Sequence, residues 1–158
     1  MKICKVCLQS NILCLACNRK LEQGEIKEIE VKLSRELHKI NMERDMSLDF
    51  VSIVENDNKL FVVVDSKHAA RFIGPGGKNI KKLSHDLGKQ VKLLEKAEGS
   101  DKHVIEKLIG APIIGINKIY SGIESYKVRV EKRYMKNVQP LADVVGKIIG
   151  KKVSFVFE

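Results

Sequence analysis

One stretch of the sequence has a glycine pattern suited to binding a charged ligand: Ile73-Gly74-Pro75-Gly76-Gly77-Lys78-Asn79-Ile80. Gly74 and Gly77 stand three residues apart, and glycine lets the backbone adopt a positive φ with no Cβ in the way. The apolar run Leu60 to Val64 precedes this stretch, and a helical apolar pattern that begins at Ile80 follows it. A turn that opens a helix points free backbone N–H groups outward, where they can bind phosphate oxygens. The stretch therefore predicts a phosphate-binding turn.

Positive charge for this turn has to come from its flanks, because Pro75 and Gly76 occupy the two positions between the outer glycines. The basic residues beside it are Arg71, Lys78, Lys81 and Lys82. We expect the isoleucines on either side, Ile73 and Ile80, to anchor the flanking helices in a core.

Other glycine-rich motifs fit this stretch less well. A P-loop needs a different upstream glycine spacing, and it needs Ser or Thr for magnesium where Asn79 stands. A dinucleotide-binding fingerprint needs G-x-G-x-x-G directly after a strand. A purely structural helix–helix turn stays open as the alternative.

All the cysteines of the chain fall within a segment of fourteen residues, as two CxxC pairs. They are Cys4, Cys7, Cys14 and Cys17. Each pair can offer two thiolates to one tetrahedral ion, and zinc is the usual ion for four thiolates in a reducing compartment. We expect a structural zinc knuckle whose metal supplies its folding energy, with a redox CxxC, a disulfide pair and an iron–sulfur site as alternatives. Ile12, Leu13 and Leu15 are then expected to dock on the rest of the protein.

The composition favours a polyanionic partner such as nucleic acid. The chain carries a net charge of +9 at pH 7, and its pI is near 9.4. Residues 66–96 hold eight Lys/Arg against two acidic residues, and residues 118–152 hold nine against three. Trp is absent and aromatic residues make up 5% of the chain, which argues against base-stacking platforms of the RRM or OB type.

The chain shows no apolar run of the 18 residues that a membrane span needs. The stretch Leu108–Ile116 is too short and contains Pro112. The N-terminus carries cysteines and polar residues where a signal peptide has its apolar core. We therefore expect a soluble, cytoplasmic protein with no membrane partner.

The first half of the chain predicts a helix, two strands, a helix, the glycine turn, a second helix and a strand. The first helix follows from apolar residues at steps of three and four after Glu25. The strands are Asp49–Glu55, which alternates, and Leu60–Val64, which is a continuous apolar run. Gly88 is expected to cap the last helix ahead of a strand at Val91–Leu94.

The second half repeats this order of elements. It predicts a helix at Asp101–Ile109, strands at Ile113–Tyr120 and Tyr126–Val130, a helix opened by Pro140, and a strand at Val153–Phe157. Residues 87–91 match residues 149–153 at an offset of 62, which indicates an internal duplication. The place of the glycine turn falls near Lys136–Gln139, which has no glycine and should not clamp phosphates in the same way. The basic residues around it could still track a nucleic-acid backbone: Arg129, Lys132, Arg133 and Lys136.

The order of elements resembles that of type II KH domains, in which a helix and a strand precede a strand–helix–GxxG–helix–strand core. Two such units in tandem, with a well-formed GxxG only at Gly74–Gly77, resemble the archaeal NusA-like KH proteins. The CxxC…CxxC leader is similar to that of a subgroup of these proteins. The resemblance implies an α+β fold of two tandem type II KH domains, each a three-stranded sheet with helices on one face, preceded by a zinc knuckle. The implied ranges are 1–23 for the knuckle, 24–98 for the first KH domain and 99–158 for the second.

The resemblance also implies a function, that of a non-enzymatic protein that binds single-stranded RNA and acts in transcription elongation or termination. In KH domains the GxxG loop clamps the backbone of about four nucleotides. The residues implied to contact RNA are Arg71, Ile73, Gly74, Pro75, Gly76, Gly77, Lys78, Ile80, Lys81 and Lys82. Ile73, Ile80 and the strand Val91–Leu93 are expected to form an apolar floor for the bases.

The alternative function is that of an adaptor. Such a protein would dock on RNA polymerase, a ribosomal particle or an RNA-processing nuclease through the zinc knuckle and the second unit. No catalytic residues can be assigned, because the histidines stand apart from the cysteine pairs and no serine lies in a nucleophile-elbow motif. We expect neither an enzymatic activity nor a small-molecule substrate.

Overall fold

The computed structural model describes residues 2–56, 58–96 and 98–158. The chain forms two compact units, and the boundary between them, after Leu93, falls within the last strand of the first sheet. Each unit is built around one three-stranded sheet. Within the described residues, no helix has both the length and the apolar character needed to cross a membrane.

The first unit opens with two short helices that carry the cysteines and continues with a long helix and the first sheet. Its elements are α1 (Lys5–Gln9), α2 (Leu15–Glu22), α3 (Glu28–Arg44), β1 (Ser52–Asn56), β2 (Lys59–Val64), α4 (Ser66–Ile73), α5 (Lys78–Leu87) and β3 (Gln90–Glu95). A 3-10 turn, Pro75–Gly77, lies between α4 and α5. The strand order is β1-β2-β3, and β1 pairs antiparallel with β2, with Ile53 opposite Val62.

Helix α3 packs on this sheet with the apolar face that its spacing predicts. Its Leu33 and Leu37 are fully buried, and they share one core with Leu60, Val62 and Val64 of β2. The intervening apolar side chains of β2 are buried as well. The continuous apolar composition of β2 therefore matches its place as the middle strand of the sheet.

The strand predicted at Asp49–Glu55 begins only at Ser52. Asn41, near the end of α3, accepts a hydrogen bond from the N–H of Leu48 at 2.8 Å and donates one to its C=O at 3.0 Å. These bonds hold the connecting loop against α3. Leu48 and Phe50 consequently enter the core from a loop, although their alternation is typical of a strand.

The second unit repeats the order of elements that follows α2 in the first. Its elements are α6 (Asp101–Ile109), β4 (Ile113–Ser121), β5 (Ile123–Val130), α7 (Met135–Val138), α8 (Ala142–Ile149) and β6 (Lys152–Phe157). β5 lies in the middle, antiparallel to β4 and parallel to β6. A parallel pair needs a crossover connection, which α7 and α8 supply. The helix predicted to open at Pro140 begins two residues later, because Pro140 lies in the 3-10 turn Gln139–Leu141.

Tyr126 of β5 is fully buried in the core of the second unit. Its hydroxyl donates a hydrogen bond to Asp101 at the start of α6 and accepts one from the ammonium group of Lys151. The bond from Tyr126 lowers the pKa of Asp101, and the nearby Lys151, 3.4 Å from the carboxylate, lowers it further. This cluster, which no sequence pattern predicted, satisfies the polar end of a buried aromatic side chain.

Candidate metal site and nucleic-acid interface

The four cysteine Sγ atoms lie within 4.8 Å of one another. The Sγ atom of Cys4 is 3.4 Å from that of Cys7 and 3.9 Å from that of Cys14. A tetrahedral ion with Zn–S bonds of about 2.3 Å needs S···S separations of about 3.8 Å. A disulfide needs about 2.05 Å. The four thiols are free, and their spacing fits one ion held by four thiolates.

Backbone N–H groups point at these sulfur atoms. The N–H of Cys14 donates to Cys7 Sγ at 3.1 Å, and the N–H of Cys17 donates to Cys14 Sγ at 3.5 Å. The bond from Cys17 lowers the pKa of Cys14 to about 7. For Cys7, the bond from Cys14 lowers the pKa, but burial and the three neighbouring thiols outweigh it and raise the value to about 12. N–H groups aimed at sulfur stabilise the thiolate form that binds metal.

The buried side of the cysteine segment packs against the rest of the first unit. Cys7 and Cys17 are buried in a small core with Ile26 and with Val31 of α3. Arg35, one turn further along α3, donates from Nε to the C=O of Cys7 at 3.2 Å. Helix α3 therefore supports both the sheet and the cysteine cluster.

The prediction that Ile12, Leu13 and Leu15 dock on the rest of the protein is wrong for two of them. Ile12 and Leu15 are each 79% exposed, and Leu13 is partly buried against the small core. The sulfur atoms must converge on one point, so Cys7 and Cys17 take the inner positions. Ile12 and Leu15 are then left on the outside, whereas Ile3, Leu8 and Leu13 pack in or against the small core.

The glycine turn lies between the end of α4 and the start of α5. Gly74 has φ 77° and ψ 172°, a combination that is almost restricted to glycine. Gly76 and Gly77 have φ of 62° and 75° with ψ of 20°. That left-handed region is one that Asn and Asp enter more readily than other side chains. The backbone requires glycine at the first of these positions more strictly than at the other two.

A neighbouring side chain also requires glycine at position 74. A Cβ on Gly74 would lie 2.9 Å from Cγ and Nδ2 of Asn79. Asn79 is 1% exposed and donates from Nδ2 to the C=O of Arg71 at 2.9 Å, which closes the end of α4 against the first turn of α5. In the sequence, Asn79 was interpreted only as a departure from the P-loop, so this role was missed. A short amide side chain in the first turn of a helix is the pattern that could have revealed it.

The other side of the turn is open. A Cβ on Gly76 would meet no atom within 4 Å. The N–H of Gly77 donates to the C=O of Gly74 at 3.1 Å, whereas the N–H of Gly76 has no partner in the part of the chain that is described. Gly76 therefore presents a free donor beside the N-terminus of α5, where the helix dipole favours negative charge.

The predicted basic residues do not all face this turn. The Cε atom of Lys81 lies 3.8 Å from the position of a Cβ on Gly77. Lys82 is directed to α3, and its Nζ lies 3.5 Å from Oε2 of Glu43. Arg71 and Lys78 are exposed. The structure brings Lys81 to the turn and directs Lys82 away from it.

Comparison with known proteins assigns a family. A family model described as the KH domain matches residues 35–139, which include the glycine turn. The chain belongs to the KH domain family. KH domains bind single-stranded RNA, and their GxxG loop clamps the nucleotide backbone.

A comparison with solved structures finds a similar fold. The crystal structure of APE1850 is similar to this chain with a TM-score of 0.62 and 23% sequence identity, over 78% of this chain and 96% of that one. At this identity the likeness concerns the fold alone. No curated protein matches the sequence.

The isoleucines on either side of the GxxG turn differ in burial, so the prediction that both anchor the helices is wrong for one of them. Ile80 is partly buried against the core, whereas Ile73 is 40% exposed. Phe72, fully buried, anchors α4 in its place. Val91 is buried in the core and is therefore not available as a floor for bases, contrary to expectation. Ile73 is the apolar side chain that this KH protein exposes directly beside the turn.

The corresponding stretch of the second unit, Lys136–Gln139, is closed. Val138 is 1% exposed and packs into the core of that unit. Its four residues are helical, and none of them has a positive φ. Asn137 and Gln139 are exposed on either side of Val138.

Two of the four basic residues near that stretch are paired with carboxylates. Arg129 lies 3.8 Å from Glu158, and Arg133 lies 2.7 Å from Glu131. Lys132 and Lys136 are exposed. The second unit therefore has less unpaired positive charge here than its sequence suggests.

Proposed function

We propose that this KH protein binds single-stranded RNA through the turn at Gly74–Gly77 and has no enzymatic activity. The observation that carries the proposal is the open turn, with its unpaired Gly76 N–H at the start of α5. About four nucleotides would cross it, with the sugar-phosphate backbone against the glycines. Lys78 and Lys81 would supply positive charge, and Ile73 would contact a base.

The proposal extends to the whole chain. We propose that both units are type II KH domains, which the shared order of elements and the parallel β5–β6 pair support. We also propose that the cysteine cluster holds one structural zinc ion, which the S···S separations support. The resemblance to NusA-like proteins supports a cytoplasmic role in transcription elongation or termination. An adaptor that docks on RNA polymerase, a ribosomal particle or an RNA-processing nuclease is the alternative.

The decisive experiment compares two variants of the turn that differ in charge and strain its backbone in the same way. Gly76 and Gly77 have left-handed φ values, a region that Asn and Asp enter more readily than other side chains. The double variant Gly76→Asp/Gly77→Asp places two carboxylates on the phosphate path, and Gly76→Asn/Gly77→Asn is its neutral match. We expect the Asp variant to lose roughly tenfold or more in affinity for a short unstructured RNA, while the Asn variant loses much less.

The measurement is a titration of wild type and both variants against the same RNA, with unfolding curves recorded for each protein. Equal stability of the two variants establishes that the difference lies in charge. If the folded Asp variant binds RNA as tightly as wild type, the turn is not the site and the adaptor function becomes the better proposal.

The zinc proposal is tested by metal analysis of protein purified under reducing conditions. We expect one zinc ion per chain, and we expect Cys14→Ser to lower that occupancy. Stable Cys4–Cys7 or Cys14–Cys17 disulfides in such a preparation would contradict it.

A further inference from the structure

The cysteine segment exposes three large apolar side chains that the fold does not use. Val6 is 70% exposed, and Ile12 and Leu15 are each 79% exposed. Val6 lies inside the first CxxC pair, Leu15 lies inside the second, and Ile12 stands two residues before Cys14. All three belong to the segment whose four sulfur atoms lie within 4.8 Å of one another. Single exposed apolar residues are ordinary, but three on one short metal-binding segment indicate a contact surface.

The charges on this segment are mostly positive. Residues 2–21 contain Lys2, Lys5, Arg19 and Lys20 and no Asp or Glu, and the first acidic residue is Glu22, which ends α2 and accepts a hydrogen bond from Asn18. Lys5, Arg19 and Lys20 are exposed, and none of them pairs with a carboxylate in the described part of the chain. A divalent ion bound by four thiolates carries a charge of about −2, so the segment stays net positive with its metal bound.

This combination fits a nucleic acid better than a protein. Unpaired cations beside exposed apolar side chains can hold phosphates while the apolar groups cover unstacked bases. Protein interfaces are depleted of lysine, and a surface on which cations outnumber acidic residues offers little alternation of charge to orient a protein partner.

We infer that the cysteine segment is a second contact for single-stranded RNA, one that extends the GxxG site. Val6, Ile12 and Leu15 cover bases, and Lys5, Arg19 and Lys20 hold the neighbouring phosphates. The inference rests on the proposed function, because it adds nucleotides to a strand that the GxxG turn already holds.

The placement of the segment sets the length of RNA required. Gln9 and Asn11 line one cleft together with Asp86 and Leu87, which are at the C-terminal end of α5. The GxxG turn is at the opposite end of that helix. Ten helical residues span about 15 Å, so a strand centred on the GxxG turn has to extend at least that far along α5 to contact the cysteine segment. A longer strand is needed to contact both.

The test compares two RNA lengths. Wild type, Val6→Ser/Leu15→Ser and the control Ile123→Ser are titrated with unstructured RNAs of about four and about twelve nucleotides. Ile123 is 74% exposed at the start of β5 in the second unit, so its change removes a similar exposed apolar side chain outside the cysteine segment and outside the cleft beside it. We expect the double variant to lose several-fold affinity for the long RNA and none for the short one, and the control to match wild type with both. Unchanged metal content shows that the cysteine cluster is intact.

A second variant, Lys5→Ala/Arg19→Ala/Lys20→Ala, tests the charges without altering the apolar surface. It should flatten the salt dependence of long-RNA binding by about 0.7 in log–log slope for each phosphate that is no longer neutralised, and leave short-RNA binding unchanged. If both variants bind the long RNA as wild type does, the inference is wrong while the GxxG proposal stands. If wild type binds neither RNA, both fail. If RNA affinity is kept but a co-purifying protein no longer binds, the surface docks a protein and the inference is also wrong.

Discussion

The GxxG turn of the first unit and the corresponding stretch of the second occupy the same place in the order of elements, but they are packed differently. In the first, glycine at position 74 makes room for the buried amide of Asn79, and the backbone at Gly76 faces outward. In the second, Val138 fills the space and the chain stays helical around it. A buried polar side chain therefore holds the open turn, and a buried apolar one holds the closed turn.

The difference shows that two units with the same order of elements need not share the same binding site. Both stretches have basic residues in or beside them, yet only the first has positive-φ residues. An RNA backbone needs close approach to main-chain donors, which a side chain over the turn prevents. The predictions below test whether this contrast is as sharp as the packing indicates.

The largest effect is expected at Val138. Val138→Asp places a carboxylate in a core position among apolar side chains, and we expect roughly 3–5 kcal/mol of lost stability in the second unit. Its exposed neighbour supplies the control, because Asn137→Asp should change stability by no more than about 0.5 kcal/mol. Hydrogen exchange resolved by residue measures the two units separately. If Val138→Asp is as mild as Asn137→Asp, the second turn is open and the contrast disappears.

A smaller effect is expected within the GxxG turn. Gly74→Ala forces alanine into a backbone conformation almost restricted to glycine, and its Cβ clashes with the side chain of Asn79. We therefore expect the free energy of unfolding to fall by roughly 3 kcal/mol. Gly76→Ala causes no clash and only requires alanine to adopt a left-handed φ, so we expect the free energy of unfolding to fall by about 1 kcal/mol. Unfolding of the two variants in urea, under identical conditions, gives the comparison. Equal losses would show that Asn79 does not depend on the space that Gly74 leaves.

The smallest effect concerns single lysines. Lys81→Ala should reduce the salt-dependence slope of short-RNA binding by about 0.7, because one phosphate is no longer neutralised. Lys136→Ala at the second turn should leave the slope unchanged, and so should Lys82→Ala, since Lys82 is directed to Glu43. The slopes come from titrations at several salt concentrations. If Lys136→Ala lowers the slope of the salt dependence and Lys81→Ala does not, the RNA site lies in the second unit.

Features that depend on local pattern could be predicted from the sequence alone. The glycine turn, the helices on both sides of it and the middle strand Lys59–Val64 follow from periodicity and from the conformational freedom of glycine. The convergence of the four cysteines follows from their spacing. The glycine turn and the order of helices and strands around it predicted a KH domain, and the match to the KH family model supports that prediction.

Tertiary structure alone decided which of two adjacent side chains points inward. Phe72 and Ile73 are both apolar and consecutive, and only the position of the core places Phe72 inside and leaves Ile73 exposed. The same holds for Lys81 and Lys82, because the contact of Lys82 with Glu43 depends on how α3 and α5 pack. Periodicity specifies a face only to within about one residue, whereas burial depends on atoms from elements distant in the chain. For that reason the sequence predicted a phosphate-binding turn, but it did not predict which side chains are exposed beside that turn.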